Sequence, residues 1–316
     1  MISPQDIAVI VGSASPILGR DICQHLGVKA AASEVITFSE GNTFVRVLES
    51  VRGRDAYVVQ AVNYPVDRNF MELLFWIDAL KLASAAQVTA VIPFFSYAKG
   101  DKKDEPRVSI RARVCMDALE AAGADRILTM DLHSPQLQGF FRKPVDHLNA
   151  RGVLANYIKK HDLSDWVVAS ADVGYGKNAF KFGQELGLPV VIGNKIRKDH
   201  TENAQVWNIV GDVVGKNVLI VDDIIFTGGS LISMAQAAKA QGAKDIYAAV
   251  THGVLTPGAQ KKLHDSLIKE IIVTDTVEYR FETLGPKIKT ATVAPLFAEA
   301  IRHIHTCESV SELFPN

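Results

Sequence analysis

The chain has 316 residues, of which 48% are hydrophobic and 22% charged, and its formal net charge is −1. This length predicts two domains of ordinary size, and the composition is that of a soluble globular protein. The near-zero charge argues against nucleic-acid binding or a polybasic membrane contact, and the 3 cysteines (Cys23, Cys115, Cys307) lie too far apart for a disulfide framework or zinc motif.

Targeting signals are missing from the pattern. No apolar segment follows a basic start, and no run of about 18 apolar residues occurs, so we expect neither export nor a membrane span. We therefore expect a cytoplasmic protein with small-molecule partners.

The first half alternates short β-branched runs with helical patterns. Strands are predicted to begin at Ile7, Glu34, Ala56, Val88 and Arg126. Between them, Leu73, Leu74, Ile77 and Leu80 share one face of a predicted crossover helix, and a second helix over 111–124 is closed by Gly123. This order predicts a parallel α/β sheet.

The same alternation restarts near residue 150. Strands are predicted to begin at Asp165, Pro189, Val218, Asp245 and Glu270. The expected architecture is α/β with two similar parallel-sheet domains, 1–148 and 149–316. The sequence leaves open whether the segment after about residue 295 packs back on the first domain.

The stretch from Val218 to Leu231, VLIVDDIIFTGGSL, joins an acidic pair to a glycine turn. Ligands collect at the carboxyl ends of strands in open α/β sheets. Glycines let backbone amides approach a phosphate, and the following helix offers its positive N-terminus. Asp222 and Asp223 can accept hydrogen bonds from sugar hydroxyls or hold a hydrated magnesium ion. This combination indicates a ribose phosphate site; the alternative is a helix cap followed by an ordinary turn.

An acidic pair before a TGG turn resembles the phosphoribosyl-diphosphate motif of the type I phosphoribosyltransferase fold. Nearly the whole chain resembles the ribose-phosphate diphosphokinase family. The segments that carry this likeness include ESVRGRDAYVVQ, MELLFWIDALK, VTAVIPFFSYAKGDKK, EAAGADRILTMDLHSPQLQGFF, THGVL and HTCESVSELF. The resemblance implies two domains of that fold and transfer of a diphosphoryl group from MgATP to the C1 hydroxyl of ribose 5-phosphate.

The family pattern assigns roles at matching positions. It implies that His133 and Asp172 bind Mg²⁺, and that Lys195 and Arg197 are the catalytic cations of a mobile flap. From residue types alone, the histidine and the aspartate would pass for structural residues and the KIRK run for a solvated basic loop. Phosphoryl transfer depends mainly on positioning and charge stabilisation, which suits such cations.

The resemblance also implies the substrate contacts. The ATP-binding positions are Phe38, Glu40, Gly41, Asn42, Lys99, Gly100 and Asp101. The ribose 5-phosphate positions are Arg197, Asp222, Asp223, Phe226, Thr227, Gly228, Gly229 and Ser230. Several departures concern the nucleotide side: Lys99 and Gly100 replace the family's arginine and glutamine, and Glu40 and Asn42 exchange acid and amide. Phe226 stands where the family often carries aspartate.

Assembly and regulation follow from the same likeness. The family implies a homo-oligomer built from dimers, with a hexamer as a larger assembly. It also implies a regulatory phosphate site at Ser50, Arg52, Ser309 and Ser311, for which surface turns are the alternative explanation.

Two other functions stay open at this point. A phosphoribosyltransferase would share the ribose phosphate motif but leave the first half unused. A non-catalytic regulatory relative would keep the fold, and the altered adenine-binding segments leave room for it.

Overall fold

The computed structural model describes residues 6–171, 174–197, 205–278 and 284–313, with side chains excluded at 194–197 and 205–208. The chain divides into two compact units. The first comprises Met1–Asn149, Thr276–Glu278 and Thr292–Asn316, and the second comprises Ala150–Asp275 and Tyr279–Ala291. Among the described residues, no helix combines the length and apolar character that crossing a membrane requires.

The first unit contains a parallel sheet of 5 strands in the order β1-β4-β5-β6-β7 over its described residues. Its elements are β1 (Ile7–Val11), α1 (Pro16–Leu26), β2 (Ser33–Thr37), β3 (Thr43–Val47), β4 (Asp55–Val59), α2 (Val66–Leu82), β5 (Gln87–Ile92), α3 (Arg111–Ala122), β6 (Arg126–Met130) and β7 (Val145–Leu148). Helix α8 (Ala294–Thr306) also belongs to this unit, and its Arg302 donates a hydrogen bond to the carbonyl of His25 on α1.

The second unit contains a sheet of 7 strands in the order β10-β9-β8-β11-β12-β13-β14, again over its described residues. All neighbours pair in parallel except β9 and β10. The elements are α4 (Arg151–Ile158), β8 (Trp166–Ser170), α5 (Gly176–Leu186), β9 (Val190–Arg197), β10 (Gln205–Val210), β11 (Asn217–Ile225), α6 (Gly229–Ala240), β12 (Ile246–Gly253), α7 (Ala259–His264), β13 (Ile268–Thr274) and β14 (Ile288–Ala291).

The predicted fold class, α/β with parallel sheets, is confirmed, and the apolar periodicity explains why. The central strands are buried on both faces, which requires the continuous apolar runs seen in β5 and β11. On α2, the residues Leu73, Trp76, Ile77 and Leu80 are fully buried in the core of the first unit. Gly123 ends α3 with φ = 105°, a left-handed conformation that suits glycine.

One predicted strand takes a different place. The run at Glu34 forms an antiparallel hairpin with β3 rather than a strand of the parallel sheet. Its residues are only half-buried or exposed, because one face of the hairpin packs on the core through Val35, Val45 and Val47 while the other meets solvent. A strand inside the parallel sheet would be covered on both faces.

Candidate functional site

The acidic pair of β11 lies just beyond the point where its pairing with β8 ends. Pairing with β8 ends at Val221 opposite Ser170, whereas pairing with β12 continues through Asp222 opposite Val250. The strand itself extends to Ile225, 2 residues beyond the acidic pair. Both aspartates are half-buried, and the amide of Asp223 donates to Asp222 Oδ1 at 2.9 Å. Their carboxylates therefore stand at the carboxyl edge of the sheet, where the sequence predicted ligand contacts.

The turn after β11 has the conformation that its glycines allow. Gly228 has φ = 76° and caps α6, and a Cβ there would lie 2.8 Å from Leu263 Cδ2. Because this N-cap is glycine, the cap residue supplies no side-chain acceptor for the first helical amides. Thr227, Gly229 and Ser230 are exposed beside it. The turn thus presents hydroxyls and the positive end of α6 to an anion.

The loop after β12 donates hydrogen bonds to the backbone at the start of this turn. Both the amide and the hydroxyl of Thr256 donate to the carbonyl of Phe226, at 2.9 and 3.1 Å. The amides of Val254 and Leu255 donate to Ile225 at 2.9 and 3.1 Å. This support has no signal in the sequence, where THGVL (251–255) contributes only to the family resemblance.

His133 lies in a turn beyond the carboxyl end of β6 and is exposed. The turn begins at Asp131, whose φ is 38°, and Asn149 Nδ2 donates to Asp131 Oδ1 at 2.7 Å. The amide of Leu132 donates to His147 Nε2, also at 2.7 Å. Burial lowers the pKa of His147 to about 4, so this ring is neutral at neutral pH. The sequence predicts no strand between those beginning at Arg126 and at Asp165, and so it misses β7 and the side chains of His147 and Asn149.

The first group of predicted ATP-binding residues forms the tip of the β2–β3 hairpin. Phe38 and Asn42 close it, with the Phe38 amide donating to the Asn42 carbonyl at 2.9 Å, and Gly41 has φ = 90°. The ring of Phe38 is 44% exposed and its centroid is 6.1 Å from that of Phe44. Glu40 is exposed as well. An exposed aromatic face at a hairpin tip can stack on a base.

In the second group, Lys99 lines a cavity of about 440 Å³. Its lining residues are Lys99, Lys102, Asp104, Glu105, Val108, Ser109 and Arg111. Gly100 is buried and packs against Arg111, so that a Cβ added at Gly100 would lie 2.8 Å from Arg111 Nε. Asp101 is half-buried. The structure thus adds Lys102 and Arg111 to the cations that line this cavity with Lys99.

Two predicted groups cannot be placed by their side chains. The backbone of β9 sets Lys195 opposite Trp207 and Arg197 opposite Gln205 of β10, but these side chains lie outside the described part of the chain. Asp172 also lies outside the described residues, directly after the buried Ala171 at the end of β8.

The predicted regulatory residues belong to the first unit and are exposed. Ser50 and Arg52 lie before β4, and the carbonyl of Ser50 accepts a hydrogen bond from Arg54 at 3.2 Å. The carbonyl of Ser309 lies 2.8 Å from Nδ1 of His303, and Ser311 lies in the 3₁₀ turn Val310–Leu313.

The available donor groups limit the kind of metal site. In the part of the chain that the structure describes, no group of three or more histidine, cysteine or acidic residues could hold a metal ion. This excludes a dense protein cage there.

Comparison with known proteins adds the family. Residues 7–123 match the model of the N-terminal domain of ribose phosphate pyrophosphokinase, and residues 172–315 match the phosphoribosyl synthetase-associated domain. The ribose-phosphate pyrophosphokinase of Caldanaerobacter subterraneus is 47% identical over 98% of this chain and 98% of its own length. That of Chlorobaculum tepidum is 46% identical over 98% of this chain and 95% of its own.

A solved structure agrees with these sequences. The phosphoribosylpyrophosphate synthetase of Mycobacterium smegmatis superposes with a TM-score of 0.90 at 39% identity, covering 96% of this chain and 99% of the other. The resemblance first suggested by the motifs is therefore confirmed over nearly the full length. The chain belongs to the ribose-phosphate pyrophosphokinase family.

Proposed function

We propose that this enzyme transfers the diphosphoryl group of ATP to ribose 5-phosphate and releases AMP. The C1 hydroxyl oxygen attacks the β-phosphorus and the bond from that phosphorus to the oxygen that bridges it to the α-phosphorus breaks, so that this oxygen leaves with AMP. The hydroxyl proton is lost to solvent. The observation that carries this proposal is the intact string from Asp222 to Ser230 at the carboxyl edge of β11, in a chain that matches the family along both halves.

Ribose 5-phosphate binding is assigned to the second unit. The phosphate accepts hydrogen bonds from the exposed turn at Thr227, Gly229 and Ser230, where the N-terminus of α6 favours an anion. Asp222 and Asp223 accept hydrogen bonds from the ribose hydroxyls, since ionised carboxylates are acceptors only. Arg197 adds a cation to this group by its position in the family pattern.

Nucleotide binding is assigned to the first unit. Phe38 offers an exposed ring for the base, and the hairpin tip carries Glu40 and Asn42 beside it. Lys99 supplies positive charge for the phosphates, and the buried Gly100 keeps Arg111 close to it. The exchanges of residue type lie in the nucleotide-binding segments and not in the ribose phosphate motif. They therefore bear on nucleotide recognition rather than on ribose 5-phosphate binding.

Mg²⁺ is assigned to His133 and Asp172. When bound, it neutralises phosphate oxygens of the nucleotide. Lys195 and Arg197 stabilise the negative charge that develops on the transferred group and on the leaving oxygen, and no side-chain nucleophile is needed. The proposed enzyme is a cytoplasmic homo-oligomer. Phosphate regulates it through the exposed serines.

One assay separates the enzyme from its rivals. We expect the purified protein with Mg²⁺, ATP and ribose 5-phosphate, and with no base present, to form AMP and phosphoribosyl diphosphate in equal amounts. A phosphoribosyltransferase would instead consume phosphoribosyl diphosphate only when a base is added. A regulatory relative would bind nucleotide without turnover, and either result would overturn the proposal.

Nucleotide preference is tested in the same reaction. Replacing ATP by GTP, CTP or UTP and measuring the corresponding monophosphate reports the donor range. Activity restricted to ATP would mean that the exchanged hairpin and loop residues leave adenine recognition unchanged.

A further inference from the structure

The turn that carries His133 is held by the neighbouring strand. The amide of Leu132, the residue directly before His133, donates to His147 Nε2 at 2.7 Å. Asn149 Nδ2 donates to Asp131 Oδ1 at 2.7 Å, and the Asp131 amide donates to the Leu148 carbonyl at 3.0 Å. The end of β7 therefore contacts each of the two residues that precede His133.

This bracing matches a conformation that needs support. Asp131 has φ = 38°, in the left-handed region that non-glycine residues seldom adopt. Such a residue keeps this conformation where its surroundings fix it. Leu132 is buried at 7% exposure, so water is a poor substitute acceptor for its amide.

The tautomer of His147 follows from its partner. A backbone amide can only donate, so Nε2 must accept and the ring proton must lie on Nδ1. The ring is consequently neutral and acts through a lone pair. A histidine in this state serves as a fixed acceptor rather than as a general acid.

We propose that His147 is a positioning residue for nucleotide binding: through its bond to the Leu132 amide it fixes the turn that aims His133 at the metal–nucleotide complex. This inference rests on the role proposed for His133. It predicts that losing the acceptor weakens binding of MgATP and leaves ribose 5-phosphate binding unchanged, because the latter is assigned to the second unit.

The test compares two substitutions. His147→Leu removes the acceptor and keeps a similar apolar volume, whereas in His147→Gln the amide oxygen falls near the position of Nε2. We expect His147→Leu to raise the KM for MgATP and the Kd of a non-hydrolysable ATP analogue about tenfold, the factor expected when a buried amide loses its partner. His147→Gln should restore both values to within about threefold, and the KM for ribose 5-phosphate should stay constant in both.

His305→Leu is the matched control. His305 belongs to the same unit and contacts Asp55 Oδ2 at 2.8 Å, at the amino end of β4. It should leave the KM for MgATP unchanged. A folded His147→Leu enzyme with the wild-type KM for MgATP, or equal increases in the KM of both substrates, would overturn the proposal.

Two measurements stay decisive if His147→Leu fails to fold. In the wild-type protein, ¹⁵N-labelled histidine spectra should show the Nδ1–H tautomer for His147, and hydrogen exchange should show protection at 131–133 that His147→Gln retains. An Nε2–H tautomer, or rapid exchange of the Leu132 amide, would rule the bracing out. These readouts do not depend on turnover, so they separate this inference from the proposed reaction, which fails only if the wild-type enzyme forms no AMP.

Discussion

At the residue scale, the candidate site depends on residue types that suit the local backbone and its place in the sheet. Gly228 combines a left-handed backbone with a Cβ direction blocked by Leu263. The aspartates of β11 sit at the point where one neighbouring strand stops, which leaves their carboxylates accessible while the backbone of Asp222 stays paired with Val250. Residue chemistry and local geometry therefore agree at the ribose phosphate motif.

The first prediction concerns Gly228. Gly228→Ala should destabilise the second unit by about 2–4 kcal/mol, from left-handed strain and a forced shift of the buried Leu263, and should raise the KM for ribose 5-phosphate. Gly27→Ala is the control: Gly27 has φ = 74°, but a Cβ added there would meet nothing within 4 Å, so only the strain of about 1–2 kcal/mol applies. Urea unfolding measures both costs, and equal costs would contradict the steric part.

The second prediction concerns the assigned catalytic cation. Lys195→Ala should lower kcat about 100-fold or more, because a charge that stabilises the transition state is lost, while the KM for ribose 5-phosphate changes little. Lys216→Ala is a suitable control, since Lys216 pairs with Asp212 at 2.9 Å elsewhere in the same unit. Wild-type turnover in Lys195→Ala would remove this residue from the mechanism.

At the element scale, each candidate ligand segment is a connection supported by the strand or loop beside it. The His133 turn is held by β7, and the Phe226 turn is held by the loop after β12. These supports come from distant parts of the sequence. Loops carry function on a rigid scaffold, and here hydrogen bonds to backbone groups supply the rigidity.

The third prediction concerns such a support. Thr256→Val removes the hydroxyl that donates to the Phe226 carbonyl. The hydrogen bond from the Thr256 backbone amide to the same carbonyl stays in place. We expect a loss of about 0.5–1.5 kcal/mol in stability and an increase of several-fold in the KM for ribose 5-phosphate, with the KM for ATP unchanged. Thr306→Val removes a similar hydroxyl-to-carbonyl bond on α8 and should alter neither KM. Steady-state kinetics with each substrate varied in turn decides the matter.

At the scale of the whole molecule, the two units share one plan. In the first unit β1, β4, β5, β6 and β7 lie side by side in chain order; in the second β8, β11, β12, β13 and β14 do so, and β9 adds a sixth parallel strand beside β8. In each unit an antiparallel hairpin comes between the first and the second of these five strands along the chain. The hairpin is β2–β3 in the first unit and β9–β10 in the second. This common plan agrees with the two similar parallel-sheet domains that the repeated alternation predicts.

The fourth prediction concerns the stability of the first unit. Asp125 Oδ2 accepts from Lys81 Nζ at 3.0 Å and from the Val88 amide at 2.9 Å, and Lys143 Nζ lies 3.4 Å from Oδ1, so this carboxylate joins three segments. Burial acts to raise the pKa of Asp125, but the hydrogen bonds and the two lysines outweigh it and the pKa is lowered. A depressed folded-state pKa means stability that is present above about pH 4, the unfolded value, and lost as pH falls through the folded value.

Near neutral pH, Asp125→Asn should therefore lower the free energy of unfolding of the first unit by about 1–2 kcal/mol, seen as a lower urea midpoint. The difference from the wild type should shrink as pH is lowered from about 5 to below the folded-state pKa, because the wild-type carboxylate is then protonated too. Hydrogen exchange of β5 and α2 amides against urea reports on this unit alone. Asp212→Asn, which alters an exposed pair with Lys216, should show little difference at any pH. A difference that stays constant with pH would contradict the electrostatic account.

The sequence by itself determined the α/β class, the parallel strands, the helix faces and the position of an acidic pair and a glycine turn at the end of a strand, because these depend on local periodicity, local turn chemistry and contiguous motifs. It misplaced the Glu34 run, overlooked β7, His147 and Thr256, and did not place Arg111 beside Lys99. Only the tertiary structure decided those, since a half-buried hairpin strand and an isolated polar residue have no local signature. Their roles arise from hydrogen bonds and contacts made across long sequence separations, such as His147 to Leu132 and Thr256 to Phe226, which folding alone brings together.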